Sequence, residues 1–345
     1  MAPRQIAVHH TGLVTSIGLN TASTCAALRA SVTNPTETTF IGADGEWIMA
    51  HQVFLGKPTS DLEKLVDMAA LAMTECLEPL PQEDREGMPL LLCVAERERP
   101  GRVDGLDGQI LKDVQAAVGL TFDPEHSTII PMGRIGALLA LERARRLICE
   151  DGIRYVLIAG TDSLLLWRTL TAYTDQSRLL AEHNSNGFMP GEAAGAVLVG
   201  RADEQPGELV FLGLGHGTEP APLGSGEPLR ADGLTGAIKQ ALQEAGCAMH
   251  DLDFRITDIS GEQYFFREAS IAVSRTMHQP KQEFDLWHPA EGIGETGAAA
   301  GPAMIATALT ACRKGYAKGM RILLHASSDT DRRVAAIVAW TGAAQ

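Results

Sequence analysis

Apolar residues in this chain fall into short unbroken runs, separated by longer stretches with helical spacing. The run Tyr155-Val156-Leu157-Ile158-Ala159 stops at Gly160-Thr161-Asp162-Ser163, as a buried strand entering a tight turn does. A second apolar run, 193–199, follows a glycine-punctuated loop. In that loop Gly187, Gly191 and Gly195 permit close backbone approach. The same pattern predicts strands at 89–95, 127–130, 209–214, 255–259, 321–325 and 334–340. It predicts helices at 20–30, capped by Thr21 or Ser23, and at 61–80, 106–118, 135–150, 235–245 and 299–311. In the helix at 61–80, Leu62, Leu65, Met68, Ala69, Ala72 and Cys76 share one side, and Pro79 and Pro81 end it. Residues 31–60 read as irregular, with Trp47 either a core anchor or a ligand-facing aromatic. Residues 163–186 read as a polar connection forming a pocket wall or cap. Strands alternating with helices imply a layered α/β fold.

Composition narrows the function. With 345 residues, 45% of them hydrophobic, the chain can bury a large core. A formal net charge of -14 argues against nucleic-acid or anionic-membrane surfaces, which need clustered Lys and Arg. No apolar run reaches the ~18 residues of a membrane span, and the N-terminal segment lacks a secretory apolar core, so a cytoplasmic protein is expected. The six cysteines form no C-x-x-C and mostly lie in apolar stretches, where they read as buried free thiols. Cys93 sits in an apolar strand that raises a thiol's pKa, which disqualifies it as a nucleophile. The histidines are scattered, and neither a metal nor a cofactor is expected.

Two local patterns invite a binding role. The tetrad Glu96-Arg97-Glu98-Arg99 is either a solvated turn or a partner-facing patch. Tyr264-Phe265-Phe266, beside Glu262 in a chain poor in aromatics, is either a plug behind a pocket or a docking surface.

The order of these pieces resembles a β-ketoacyl synthase of the thiolase superfamily. The resemblance rests on Ala159-Gly160-Thr161 and on Gly187-Phe188-Met189-Pro190-Gly191-Glu192-Ala193-Ala194-Gly195. It extends to the opening stretch 6–18 and to Gly294-Glu295-Thr296-Gly297-Ala298-Ala299-Ala300-Gly301, so it covers most of the chain. It implies a thiolase-like five-layered αβαβα fold of two pseudo-repeated lobes, 1–204 and 205–345, integrated into one domain. It also implies a homodimer paired through the strand at 127–130.

The family's chemistry needs a cysteine at a buried helix N-terminus, where the macrodipole favours the thiolate, and two histidines. Here the cysteine position falls on Gly133, the first histidine on Ser260 and the second on Glu295. Glycine has nothing to acylate, and an ionised glutamate is a poor donor to an oxyanion. No cysteine occurs between Cys93 and Cys149. The family's glycine-rich C-terminal loop is replaced by His325-Ala326-Ser327-Ser328-Asp329-Thr330-Asp331.

The expectation is therefore a non-catalytic binding, chaperone or adaptor protein. Through Gly45-Glu46-Trp47-Ile48 and the stretch 90–101, the chain is similar to a degenerate group associated with type VI secretion effectors and adaptors. Its partner would then be such an effector or adaptor. One alternative is an acyltransferase or 3-oxoacyl-carrier-protein synthase relative using Ser260, Glu262 or Glu295, with His288 or His325 as base. Another is a non-elongating partner of an active ketosynthase, resembling a chain-length factor, with a ketosynthase or an acyl carrier protein as partner. Arg134, Glu262, Tyr264, Phe265, Phe266, His288, Glu96 and Arg97 are the candidate pocket or partner-binding residues.

Overall fold

The structure is a computed structural model that describes residues 5–342, apart from 43, 58 and 204. Residues 1–4, on which the reading of the N-terminal segment partly rests, lie outside the described residues, as does the boundary position 204.

The first half runs β1 (Ile6–Val14), α1 (Thr21–Arg29), β2 (Thr36–Ile41), β3 (Trp47–Ala50), α2 (Asp61–Leu77) and α3 (Gln82–Arg85). It continues with β4 (Leu90–Val94), α4 (Ile110–Val118), β5 (Thr128–Pro131), α5 (Gly136–Cys149), β6 (Tyr155–Ser163), α6 (Trp167–Asp175) and β7 (Glu192–Arg201). The second half runs β8 (Leu209–Thr218), α7 (Asp232–Ala245), β9 (Phe254–Thr257), α8 (Gln263–Thr276) and β10 (Leu286–Trp287). It ends with α9 (Ala290–Ile293), α10 (Ala300–Arg313), β11 (Arg321–Ser327) and β12 (Arg332–Trp340).

Ten strands form a sheet in the order β10-β9-β11-β12-β8-β1-β7-β6-β4-β5. Its two halves repeat one topology. β4 pairs in parallel with β5 and β6, and β7 closes antiparallel against β6 and β1. β9 pairs in parallel with β10 and β11, and β12 closes antiparallel against β11 and β8. The halves meet where Ile6–Val8 pairs antiparallel with Leu209–Phe211.

Burial builds five layers. The helices α5 and α10 sit between the half-sheets, where Leu138, Leu141, Met304 and Ile305 pack against strand residues from both. Helices α2 and α4 cover the outer face of the first half-sheet, and α7 and α8 that of the second. The helix α2 starts in a capping box, in which Ser60 accepts from the Glu63 N–H and the Glu63 side chain accepts from the Ser60 N–H.

Several local expectations change. Asn20 caps α1, because its extended backbone lets its side chain accept from Ser23 N; Thr21 and Ser23 lie inside the helix. Residues 31–60 contain the β2–β3 hairpin, in which Ile41 faces Trp47 and both are exposed. Trp47 is 48% exposed, so it is not a core anchor. Residues 163–186 contain α6. The strand β6 does not turn at Gly160 but continues to Ser163. Glycine allows this, since a Cβ at 160 would collide with the Ala298 carbonyl. No helix among the described residues is long and apolar enough to cross a membrane.

Candidate functional site

The two central helices begin alike. Each follows a 3-10 turn opened by a left-handed glycine, Gly133 (φ 51°) before α5 and Gly297 (φ 50°) before α10. Both turns lie beneath the C-terminal ends of the parallel strands, where open α/β sheets place their ligand crevices. Glu96 and Arg99 follow β4, Asp162 ends β6, Asp258, Ser260 and Glu262 follow β9, and Asp329 follows β11.

These side chains form one ion network. Arg134 is buried and donates to Glu295 Oε2 (3.1 Å) and Asp329 Oδ1 (2.5 Å), with Asp258 Oδ2 at 3.8 Å. Its guanidinium lies 4.5 Å from the centre of the Phe265 ring. Arg178 makes a two-pronged pair with Glu262 (2.8 and 2.8 Å) and also grips Asp329 (2.6 and 3.1 Å). Arg99 pairs with Glu96 (2.9 and 2.7 Å) and with Asp162 Oδ1 (2.8 Å). Backbone N–H groups complete the set: Ala298 donates to Asp162 Oδ2 (2.8 Å) and Gly297 to Glu295 Oε1 (3.0 Å).

Burial and pairing pull the acids in opposite directions. Burial alone would raise the Asp329 carboxyl, yet Arg134, Arg178 and Arg99 outweigh it and hold it well below the usual carboxylate range. Asp258 is further from its cation, and burial raises it to about 7 against the pull of Arg134. Burial raises Asp162 to about 6, with Arg99 opposing. Burial would also raise Glu96, but Arg99 prevails and lowers it.

Gly133, Ser260 and Glu295, the positions on which the resemblance would put the catalytic set, converge here. A side chain on Gly133 would enter a left-handed backbone position and run into the Glu96 carboxylate. Ser260 donates to Glu295 Oε2 (2.6 Å), the same oxygen that Arg134 holds. A cavity of about 360 Å³ remains above the network, lined by Glu96, Arg99, Arg134, Tyr173, Arg178 and Glu295, among others. Neither histidine nor cysteine lines it. Cys93 lies fully buried beside Gly136, where burial raises its thiol steeply.

Of the candidate residues, Glu96, Arg134 and Glu295 line the cavity, and Glu262 and Phe265 support it from behind. Phe265 is buried, in the manner of a plug. Arg97 points to solvent and pairs with Asp107 (3.4 Å). The Tyr264 hydroxyl donates to Ala221 O (2.7 Å) and accepts from Arg333 (3.1 Å) on the outer face. Phe266 packs edge-on against His288, which lines a different cavity. His325 is buried on β11, with neither ring nitrogen partnered among the described residues, and burial lowers it to about 3. The tetrad 96–99 is not a uniformly solvated turn, because Arg99 is only 6% exposed. Sequence reasoning missed Asp162, Arg178, Asp258 and Asp329, and it met Arg99 only as part of the tetrad 96–99. For Asp162, Asp258 and Asp329 the available signal was their position, as charges at or just past the ends of apolar strands; Arg178 follows α6 and gave no such signal.

No family model matches the chain. The actinorhodin polyketide beta-ketoacyl synthase 2 of Streptomyces coelicolor is 31% identical over 210 residues, 55% of this chain and 49% of the relative. The match thus spans about half the length of that relative. Among solved structures, the ishigamide ketosynthase/chain length factor aligns with a TM-score of 0.76 at 15% identity, covering 99% of this chain and 100% of that one. A type II polyketide synthase acyl-carrier protein in complex with its ketosynthase gives 0.79 at 13% identity, covering 98% and 100%. The fold of this chain is therefore the thiolase-like fold of the ketosynthases and their chain length factors.

Proposed function

We propose that this protein is a non-elongating, ketosynthase-fold subunit that works by associating with a catalytically active ketosynthase. The observation that carries this reading is the ion network. At the place where condensation chemistry needs a thiolate and two imidazoles, three arginines are tied to carboxylates, and neither a cysteine nor a histidine lines the cavity among the described residues. The similarity to a β-ketoacyl synthase 2 and to ketosynthase/chain length factor structures supports the same reading.

A protein partner also suits the surface. The edge strand β5 (Thr-Ile-Ile-Pro) pairs on one side only and is half-buried along its length. Ile41, Trp47, Met49, Trp167 and Leu180 stay exposed on the hairpin and beside α6. We place the dimer contact at β5, with a ketosynthase as the partner. A homodimer is the other arrangement this edge allows. The division into lobes at 204/205 is part of the same proposal, motivated by the repeated half-sheet order. The secretion-effector reading has no support from the fold or the relatives, and recovery of an effector is the outcome that would favour it.

The test of the non-catalytic half is intact-mass measurement after exposure to acyl and malonyl thioesters. No covalent adduct is expected on the native chain, because neither a cysteine nor a histidine lines the cavity among the described residues. A stable adduct on the native chain would return the protein to the acyltransferases.

A further inference from the structure

A second cavity, of about 500 Å³, lies away from the central site and shares no lining residue with it. It opens between α1, β10, α9 and the end of α10. Trp287 and Tyr316 form its aromatic wall, backed by the core. Phe254 is fully buried and packs 4.6 Å from Trp287, which lies near-parallel to Tyr316 (6.3 Å, 25°). The Arg29 guanidinium covers Tyr316 at 4.4 Å. Arg29 makes no ion pair or side-chain hydrogen bond among the described residues, whereas Arg99, Arg134, Arg178 and Arg333 are all matched to carboxylates. The ring beneath it fixes the position of this cation and leaves its N–H edge unused. The one acid in the lining, Glu291, is largely exposed and pairs with His288 (3.3 Å). Leu28 adds apolar wall.

We infer that this cavity binds a small aromatic carboxylate, its ring against Trp287 and Tyr316 and its carboxylate on Arg29. The cavity size suits a ligand of two fused rings, since small-molecule sites of roughly 300–1,000 Å³ hold drug-sized molecules. The role is independent of the central network and of any partner at β5.

The test is calorimetric titration of the full chain with 2-naphthoate, 2-naphthamide and octanoate, with Trp emission followed in parallel. Saturable 1:1 binding of 2-naphthoate is expected, with the amide and octanoate weaker by at least roughly ten-fold, the scale of one charge-assisted or ring-specific contact. Arg29→Gln, at an exposed position, should weaken 2-naphthoate by a similar factor while leaving amide binding and the melting temperature unchanged. The Trp quenching should vanish in Trp287→Phe. No saturation at millimolar 2-naphthoate, equal binding of octanoate, or indifference to Arg29→Gln would each overturn the assignment. The outcome for Arg29→Gln stands whether or not Trp287→Phe folds.

Discussion

Arg134 holds together the degenerate site. It donates to Glu295 and Asp329, approaches Asp258 and covers Phe265; Arg134, Glu295 and Asp258 are only a few per cent exposed, and Asp329 is 29% exposed. Replacing it with Met keeps the volume but strands those acids in low dielectric. Arg134→Met should therefore lose about 3–5 kcal/mol of stability by denaturant unfolding. Titration gives a second test at this scale. Asp258 has an ordinary value of 3.8 and is raised by burial to about 7, so the native state holds its proton where the unfolded chain has lost it. Its contribution is full below about 3.8 and is lost as pH rises through about 7. The stability of the native chain relative to Asp258→Asn should thus fall between pH 4 and pH 7 and then level off. His325 has the opposite sign. It is lowered from 6.5 to about 3, so its penalty grows as pH falls through 6.5 towards 3. His325→Leu should gain most over the native chain at the acid end, measured by unfolding midpoints across the same range.

At the scale of elements, the central strands and most long helices were legible because burial writes itself into sequence, but the 14-residue α8 (Gln263–Thr276) escaped, read only as an aromatic cluster. β4 is an unbroken apolar run, β6 and β7 are built around such runs, and α2 and α5 carry one-sided apolar spacing. The elements that escaped have only partial hydrophobic faces. The helix α6 buries only Thr169, Leu170 and Tyr173, and the β2–β3 hairpin leaves Ile41, Trp47 and Met49 in solvent. Neither gives a clean period. The convergence of Gly133, Ser260 and Glu295 was readable from motif order, but the network was not. It joins residues as distant in sequence as Arg134 and Glu295, 161 positions apart, and only the folded sheet ends bring those together. The exposed edge of β5 carries its own test. Ile129→Lys places a charge on a strand that the proposal pairs with a partner. The variant should stay folded, while any dimer seen by light scattering should dissociate to the chain mass of 36.8 kDa.

At the scale of the whole molecule, the fold is that of the ketosynthases, and the strand ends hold an arginine–carboxylate network. A five-layered body with two similar halves has a crevice of about 360 Å³ at its strand ends, floored by side chains that pair with one another. Such a body is suited to shaping or holding a partner's site, and that is the central claim. The most direct test is to tag this chain at its native expression level and identify the proteins that co-purify with it by mass spectrometry. The expected result is a stoichiometric ketosynthase that carries its own reactive cysteine and alone accepts an acyl group from thioesters. Recovery of this chain by itself, or with a secretion effector in place of a ketosynthase, would contradict it.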